Sequence, residues 1–290
     1  MPVIGLQSNG AEGRTACGTR DAYRPERAGP THLKYLYALD PKISLELRVP
    51  TNNDAEDLEG PLNDWRRLLN WRMSDLHRRS SLQFKKVLAP ILFRHLCAGL
   101  GPARLRLYLN AIFDTRSVPG AVVEVGCNVG GTAITAHKFL RQIGSPRDYY
   151  CLDTFQGFVL EQYERDAQMG NTLAKARAFS ANDIALVRRI LKLHRAEDIK
   201  LVKCDVAAFD GRSMPDPISV CLLDVDLYEP TLAALRKVYP RLAQSGVILV
   251  DDCPPNRTDV WQAQRAYLEF IQQMGLPEII EGGMGIVIGT

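Results

Sequence analysis

The sequence predicts an α/β fold: a doubly wound, mostly parallel sheet with a C-terminal antiparallel hairpin strand, behind a mainly helical N-terminal region. Two observations carry this. After Pro119-Gly120, short β-rich runs alternate with helical segments, the pattern of parallel strands joined by right-handed crossovers. The chain then closes with a helix and a Gly282-Gly283 hairpin signal, which turns the last strand back on its neighbour.

Taken in order, residues 1–30 are rich in Gly, Arg, Asp and Pro without apolar periodicity, and predict a disordered or loosely attached arm. Residues 31–115 form the helical region. Ile43–Val49 alternates as a short strand, and Asn63 is placed to cap a helix carrying Trp65, Leu68, Leu69, Met73 and Leu76. A second stripe runs through Phe84, Val87, Leu88, Ile91, Leu92 and Leu96, kinked or started at Pro90, and a third through Leu105, Tyr108, Leu109 and Ile112. Residues 116–290 are the catalytic domain, with strands at 121–125, 148–152, 199–204, 218–223 and 247–250 and helices at 131–143, 180–194 and 229–243. The last helix is expected to be capped by Thr258, to carry Val260, Ala263, Tyr267, Phe270, Ile271 and Met274, and to stop at Gly275. Residues 155–182 form a long connection that reads equally as a lid or as a static insertion.

Nearly half of the 290 residues are hydrophobic, enough for a substantial core. The net charge of +3 arises from 36 basic and 33 acidic side chains mixed along the chain, which offers no field for nucleic acid or a membrane surface. A small hydroxylated molecule is the expected partner, and a homodimer the expected assembly if the chain self-associates. Seven scattered cysteines without a CxxC pair point to reduced thiols, and no apolar run suits a membrane span or a signal peptide. The cytoplasm is therefore the expected location.

The first motif, Glu124-Val125-Gly126-Cys127-Asn128-Val129-Gly130-Gly131-Thr132, follows a strand and opens a helix, where open α/β sheets bind ligands. Its spacing is G-x-x-x-G with an acid upstream, not the G-x-G-x-x-G of a dinucleotide site. A cationic sulfonium cofactor suits that acid better than a pyrophosphate. Asp153 ends the second strand, where an acid can bind ribose hydroxyls, followed by Thr154 and by Phe155, which can stack on adenine or fill core. Asp205 ends the third strand, near an adenine amino group or as a helix cap. The cofactor set is thus Glu124, Gly126, Cys127, Gly130, Asp153, Thr154, Phe155 and Asp205.

The second motif is acidic. Leu222-Leu223-Asp224-Val225-Asp226 closes the fourth strand and Val250-Asp251-Asp252 the fifth, on one edge of the sheet. If 224–226 stay extended, Asp224 and Asp226 share a side. Four crowded carboxylates repel unless a positive charge sits among them. A hard cation, Mg²⁺ or another divalent ion such as Mn²⁺ or Ca²⁺, fits oxygen ligands, and the lack of a His/Cys cluster argues against zinc. The competing reading pairs these acids with Arg236, Lys237 or Arg257. His137 and His194 lie in helical segments away from the strand ends, and Trp65 and Trp71 read as helix packing.

The segments VVEVGCNVGGT, YYCLDTFQGF and LLDVDLYEPTLAALRKVYPRLAQSGVILVDDC resemble the macrocin O-methyltransferase family, which methylates sugar hydroxyls of antibiotics. The resemblance covers about residues 117–290 and rests chiefly on Asp-x-Asp-Leu-Tyr-Glu-x-Thr and the later Asp-Asp pair. It implies a class I methyltransferase sheet of seven strands, S-adenosylmethionine as methyl donor, Asp224, Asp251 and Asp252 as ligands of Mg²⁺, and Asp226 as general base with Asp224 beside it in catalysis. In the first loop the family often has an aromatic-Arg pair where this chain has Asn128-Val129. Two other functions compete: a nicotinamide-dependent oxidoreductase, which leaves the four acids unexplained, and a catalytically silent partner that keeps the methyltransferase fold.

Overall fold

A computed structural model describes residues 62–170, 177, 179–254 and 262–290, with side chains from residue 75 onward. The arm at 1–30, the strand at 43–49, the Trp65 and Trp71 side chains, Arg257 and the Thr258 cap lie outside the described residues.

Helix α1 (Leu62–Val87) takes in the first apolar stripe and only Phe84 and Val87 of the second, and Asn63 falls inside it rather than at its cap. It ends just before α2 (Ala89–Leu92), where Pro90 sits in the first turn. Proline is tolerated there because the first helical N–H groups have no partner in the helix. Phe84, Val87 and Ile91 of the predicted stripe are exposed. Helix α3 (Pro102–Asp114) instead buries Tyr108 and Ile112 of its stripe, with Leu105 and Leu109 half-buried beside them.

The sheet then builds in the predicted alternation: β1 (Ala121–Val125), α4 (Gly131–Gln142), β2 (Tyr149–Asp153), α5 (Leu160–Gln168), α6 (Ile184–Leu193), β3 (Lys200–Lys203), β4 (Ile218–Leu223) and α7 (Tyr228–Val238). A 3-10 turn at Tyr239–Arg241 follows, then β5 (Leu242–Val250), α8 (Ala263–Met274), β6 (Ile280–Glu281) and β7 (Met284–Ile288). The helix predicted at 229–243 is shorter, because Pro240 cannot supply the N–H that would continue it. Strand β5 starts five residues early, with Ser245 at positive φ and a register shift opposite Ile218–Val220. Gly275 ends α8 in the left-handed conformation, as expected.

The strand order is β3-β2-β1-β4-β5-β7-β6, parallel except where β7 pairs antiparallel with β5 and β6. Every residue of β1 and β4 is buried. Central parallel strands covered by helices on both faces read as nearly continuous apolar runs, here interrupted only by buried Glu124 and Ser219, which is why the sequence exposed them. One face packs against α3, α4 and α6 through Tyr108, Ile134, Leu140 and Ile190, the other against α7 and α8 through Leu235, Val238, Tyr267 and Phe270. Among the described residues, no helix is long and apolar enough to cross a membrane, and the six described cysteines are free thiols.

Candidate active site

The site follows from strand register. Val125 of β1 pairs with Leu223 of β4, and Leu223 with Val250 of β5, so three carboxyl ends finish level. The ladder continues one step beyond: Gly126 N–H donates to the Leu152 carbonyl, Asp224 N–H to Val125 and Asp251 N–H to Leu223 (2.9, 2.9 and 2.8 Å). The glycine loop and both acid pairs are therefore delivered to one edge, at the point where strand order reverses between β1 and β4. A cleft of about 480 Å³ opens there, lined by Glu124, Gly126, Cys127, Asp153, Thr154 and Asp205 together with all four aspartates.

Gly126 has φ +90°, and a Cβ there would stand 1.9 Å from the Asp224 carbonyl oxygen. Only glycine lets the loop and the end of β4 approach so closely. Gly130 caps α4 in the left-handed conformation and faces Val187 and Leu191 rather than the cleft. Gly131 is constrained from outside, since a Cβ there would meet the Cys97 carbonyl at 2.2 Å. This contact, with the Gly99 N–H bond to Thr132 Oγ1 (3.0 Å), seats the segment before α3 on the mouth of the cleft. Asn128, Phe179, Asp226 and Asp252 line the same cleft at positive φ, a concentration of backbone strain typical of functional sites. Because Asp226 has φ +61°, residues 224–226 do not stay extended, and the period-of-two reasoning for Asp224 and Asp226 fails. The turn itself brings Asp226 to the cleft.

The expected cofactor residues separate by task. Asp153 ties the loop to β2: its two carboxylate oxygens accept from Asn128 N–H (2.8 Å) and Phe155 N–H (2.6 Å). Thr154 Oγ1 donates to the Gly157 carbonyl (2.6 Å). Phe155 takes the second of its two readings: it is buried in the core and absent from the cleft wall, because its positive φ turns the chain inward after β2. Asp205 caps no helix: it accepts from Ala207 N–H (2.9 Å) to close its own turn, and it lines the cleft. It also accepts from Gln162 Nε2 of α5 (3.0 and 2.9 Å), a contact the sequence did not indicate. Helix α5 lies within the 155–182 connection and is docked at its buried Asp166, which accepts from the Tyr228 N–H opening α7 (2.8 Å).

Glu124 is buried, and Tyr149 donates to it at 2.5 Å while pairing with the Tyr108 hydroxyl at 2.8 Å. Burial pushes its pKa up to about 8, with Asp153 adding to the rise and the Tyr149 bond opposing it. Asn182, 2% exposed, donates from Nδ2 to the Asn128 carbonyl (2.8 Å) and leaves Oδ1 without a partner on the cleft wall. An orphan acceptor that deep is costly unless a ligand supplies the donor. A small molecule with positive charge and N–H or O–H donors, such as S-adenosylmethionine, fits this wall.

Asp224 is pushed well above the ordinary carboxylate range, first by burial and then by Asp251, Asp226, Asp252 and Glu124. Asp251 is also raised, by burial and by Asp252, while Arg104 pulls it down. Among the described residues, Arg104 of α3 brings its cation to this cluster: its Nη1 lies 2.6 Å from Asp251 Oδ1 and 3.1 Å from Asp252 Oδ1. The partners considered from sequence are engaged elsewhere, Arg236 with Gln273 and Glu269, and Lys237 with the Ala207 carbonyl. Among the described residues, no three His, Cys, Asp or Glu side chains are gathered to hold a metal ion. The donor chemistry of Asp224, Asp251 and Asp252 suits a hard cation, and a guanidinium stands in front of two of them. His137 is buried against Asp198, and His194 meets the Phe93 carbonyl, both away from the cleft.

Comparison with known proteins places this arrangement. The chain is 29% identical over 169 residues to demethyldecarbamoylnovobiocin O-methyltransferase of Streptomyces niveus, covering 54% of this chain and 63% of that protein. It is 28% identical over 147 residues to mycinamicin III 3''-O-methyltransferase of Micromonospora griseorubida, covering 48% and 57%. The chain thus spans less than two thirds of the length of these curated relatives. The solved O-methyltransferase NovP superposes with a TM-score of 0.53 at 24% identity, over 64% of this chain and 78% of that one. Calicheamicin methyltransferase CalS11 gives 0.51 at 20%, over 63% and 77%. Both share the class I methyltransferase fold. The family model of macrocin O-methyltransferase (TylF) matches residues 98–281, which takes in α3, Arg104 and strands β1 to β6. The chain belongs to the macrocin O-methyltransferase family.

Proposed function

We propose that this chain is an S-adenosylmethionine-dependent O-methyltransferase acting on a hydroxyl of a small molecule, a sugar or another natural-product intermediate of secondary metabolism. The observation that carries the proposal is the level ending of β1, β4 and β5, which puts an acid-flanked glycine loop and four aspartates around one cleft. The names of the relatives, methyltransferases of a novobiocin precursor and of mycinamicin III, support the acceptor class. Family membership and the loop spacing speak against a nicotinamide oxidoreductase.

S-adenosylmethionine, when bound, supplies an electrophilic methyl group on a sulfonium. The chain has to bind it, align the acceptor oxygen behind the methyl carbon and remove one proton. Glu124 and the unpartnered Asn182 Oδ1 offer acceptors to the donor's ammonium and hydroxyl groups, and Asp153 fixes the loop that cradles it. Asp226 reaches the cleft from the turn after β4 and is the base that takes the acceptor's hydroxyl proton. Asp224, Asp251 and Asp252 would hold a divalent cation, whose charge lowers the pKa of a hydroxyl beside it. The rest of the rate enhancement is alignment in a dry cleft.

Calorimetric titration with S-adenosylmethionine and with NAD⁺ tests the cofactor: the first is expected to bind and the second not, and the reverse order would refute the reading. Turnover of a hydroxylated sugar with and without chelator tests the cation. Full activity in chelator would remove the cation from the proposal and leave the methyl transfer standing. A catalytically silent chain would bind neither S-adenosylmethionine nor Mg²⁺.

A further inference from the structure

We infer that the end of α1 sets the cofactor wall: Lys85 and Lys86 are positioning residues that hold the turn before α6 so that Asn182 presents Oδ1 to the cleft. This rests on the reading of that wall as the S-adenosylmethionine site. Asn182 lies on the wall between two residues gripped from outside. Lys85 Nζ donates to the Ala181 carbonyl (2.9 Å), and Lys86 Nζ pairs with Asp183 Oδ2. The other carboxylate oxygen of Asp183 accepts from Leu186 N–H (2.7 Å) and caps α6. Asn182 is itself fastened through Nδ2 to the Asn128 carbonyl, which can only accept, so the amide cannot turn over and Oδ1 is left to the cleft.

Neither lysine lines the cleft, so any effect they have on a ligand passes through the turn they hold. Both are half-buried, and an ion pair near the surface adds little net stability; what this one contributes is geometry. The chain leaving α1 then follows α6 to its far end, where His194 Nε2 donates to the Phe93 carbonyl (2.8 Å). Helix α6 is therefore held at both ends by residues 85–93. Its Val187 and Leu191 in turn face Gly130 of the glycine loop, so the same clamp backs the loop and aims Asn182. Lys85 and Lys86 precede residue 98, where the family match begins, and the clamp comes from the part of the chain upstream of that match.

Calorimetric titration of the full-length protein with S-adenosylmethionine, in a double-mutant cycle of Lys85→Met with Lys86→Met against Asn182→Leu, tests this. Methionine keeps the stems and removes both donors. The lysine-pair variant should bind about threefold to tenfold more weakly than the wild type, because a released turn lowers the fraction of chains with Asn182 in place. On the Asn182→Leu background the same two changes should add less than about twofold. Amide hydrogen exchange should quicken at Leu186 and Val187, whose N–H groups bond Asp183, and not in β1 or β4, which separates a released turn from general loosening. Should the double change unfold the chain, Lys86→Met alone carries the same cycle, and Lys86→Arg should bind within about twofold of the wild type. Equal weakening on both backgrounds, or a lysine-pair variant that binds like the wild type while Asn182→Leu is weakened, would overturn the positioning and leave the cofactor site standing. Asn182→Leu binding like the wild type would overturn the contact and the positioning together. No binding by the wild type would overturn the cofactor reading as well.

Discussion

Glu124→Gln isolates a buried carboxyl of the cleft whose pKa is raised. The carboxyl holds its proton in the folded chain to about pH 8, against a reference of 4.5. An acid with a raised folded pKa binds more protons folded than unfolded, so stability falls as pH rises between those two values and is level outside them. The gap of about 3.5 units corresponds to about 5 kcal/mol at most, at about 1.4 kcal/mol per unit. Gln is isosteric with the protonated acid and still accepts from Tyr149. The variant should therefore match the wild type near pH 4.5 and become progressively more stable than it, reaching the full difference by about pH 8. Urea unfolding of both proteins across this range gives the difference curve, in which groups common to both cancel. A flat difference would refute the reasoning, and one growing toward acid would reverse its sign.

Because S-adenosylmethionine carries positive charge, its binding should pull Glu124 toward ionisation and release a proton at pH values below about 8; calorimetry in buffers of different ionisation enthalpy should detect this in the wild type and not in Glu124→Gln. Tyr149→Phe removes the bonds to both Glu124 and Tyr108 and should cost about 2–4 kcal/mol in urea melts, against about 1 kcal/mol for Tyr108→Phe, which breaks one; equal losses would count against the network. Gly126→Ala combines φ +90° with a 1.9 Å clash on backbone and should lose more than about 3 kcal/mol or fail to fold, measured by thermal melting. Asn182→Leu should weaken S-adenosylmethionine binding about tenfold, the value of one hydrogen bond; unchanged affinity would show that Oδ1 does not meet the ligand.

The parts of the molecule legible in the sequence are those set by local patterning. Strands β1 and β4 are nearly continuous apolar runs, broken only by Glu124 and Ser219, because both faces are covered, and the acid pairs stand out because they directly follow the apolar ends of β4 and β5. Register alone then makes them converge. Strand β5 was harder to place, since its early half contains exposed Gln244 and Ser245 and a left-handed turn that mask the alternation. Arg104 was missed because its partners lie 147 and 148 residues away and meet it only through the packing of α3. A cation in the first turn of a helix without acids was the one local hint. The neutral state of Glu124 was equally hidden, since it depends on burial and on Tyr149 from the neighbouring strand.

Incubation with S-adenosylmethionine bearing a trideuterated methyl group and a panel of hydroxylated sugars, followed by mass spectrometry, tests the methyl transfer itself. One labelled methyl on an acceptor oxygen is expected with the wild type, and a loss of turnover with Asp226→Asn at unchanged S-adenosylmethionine affinity. Labelled product formed equally well by Asp226→Asn would contradict the role of that base, and label found on nitrogen or carbon would contradict the O-methyltransferase reading.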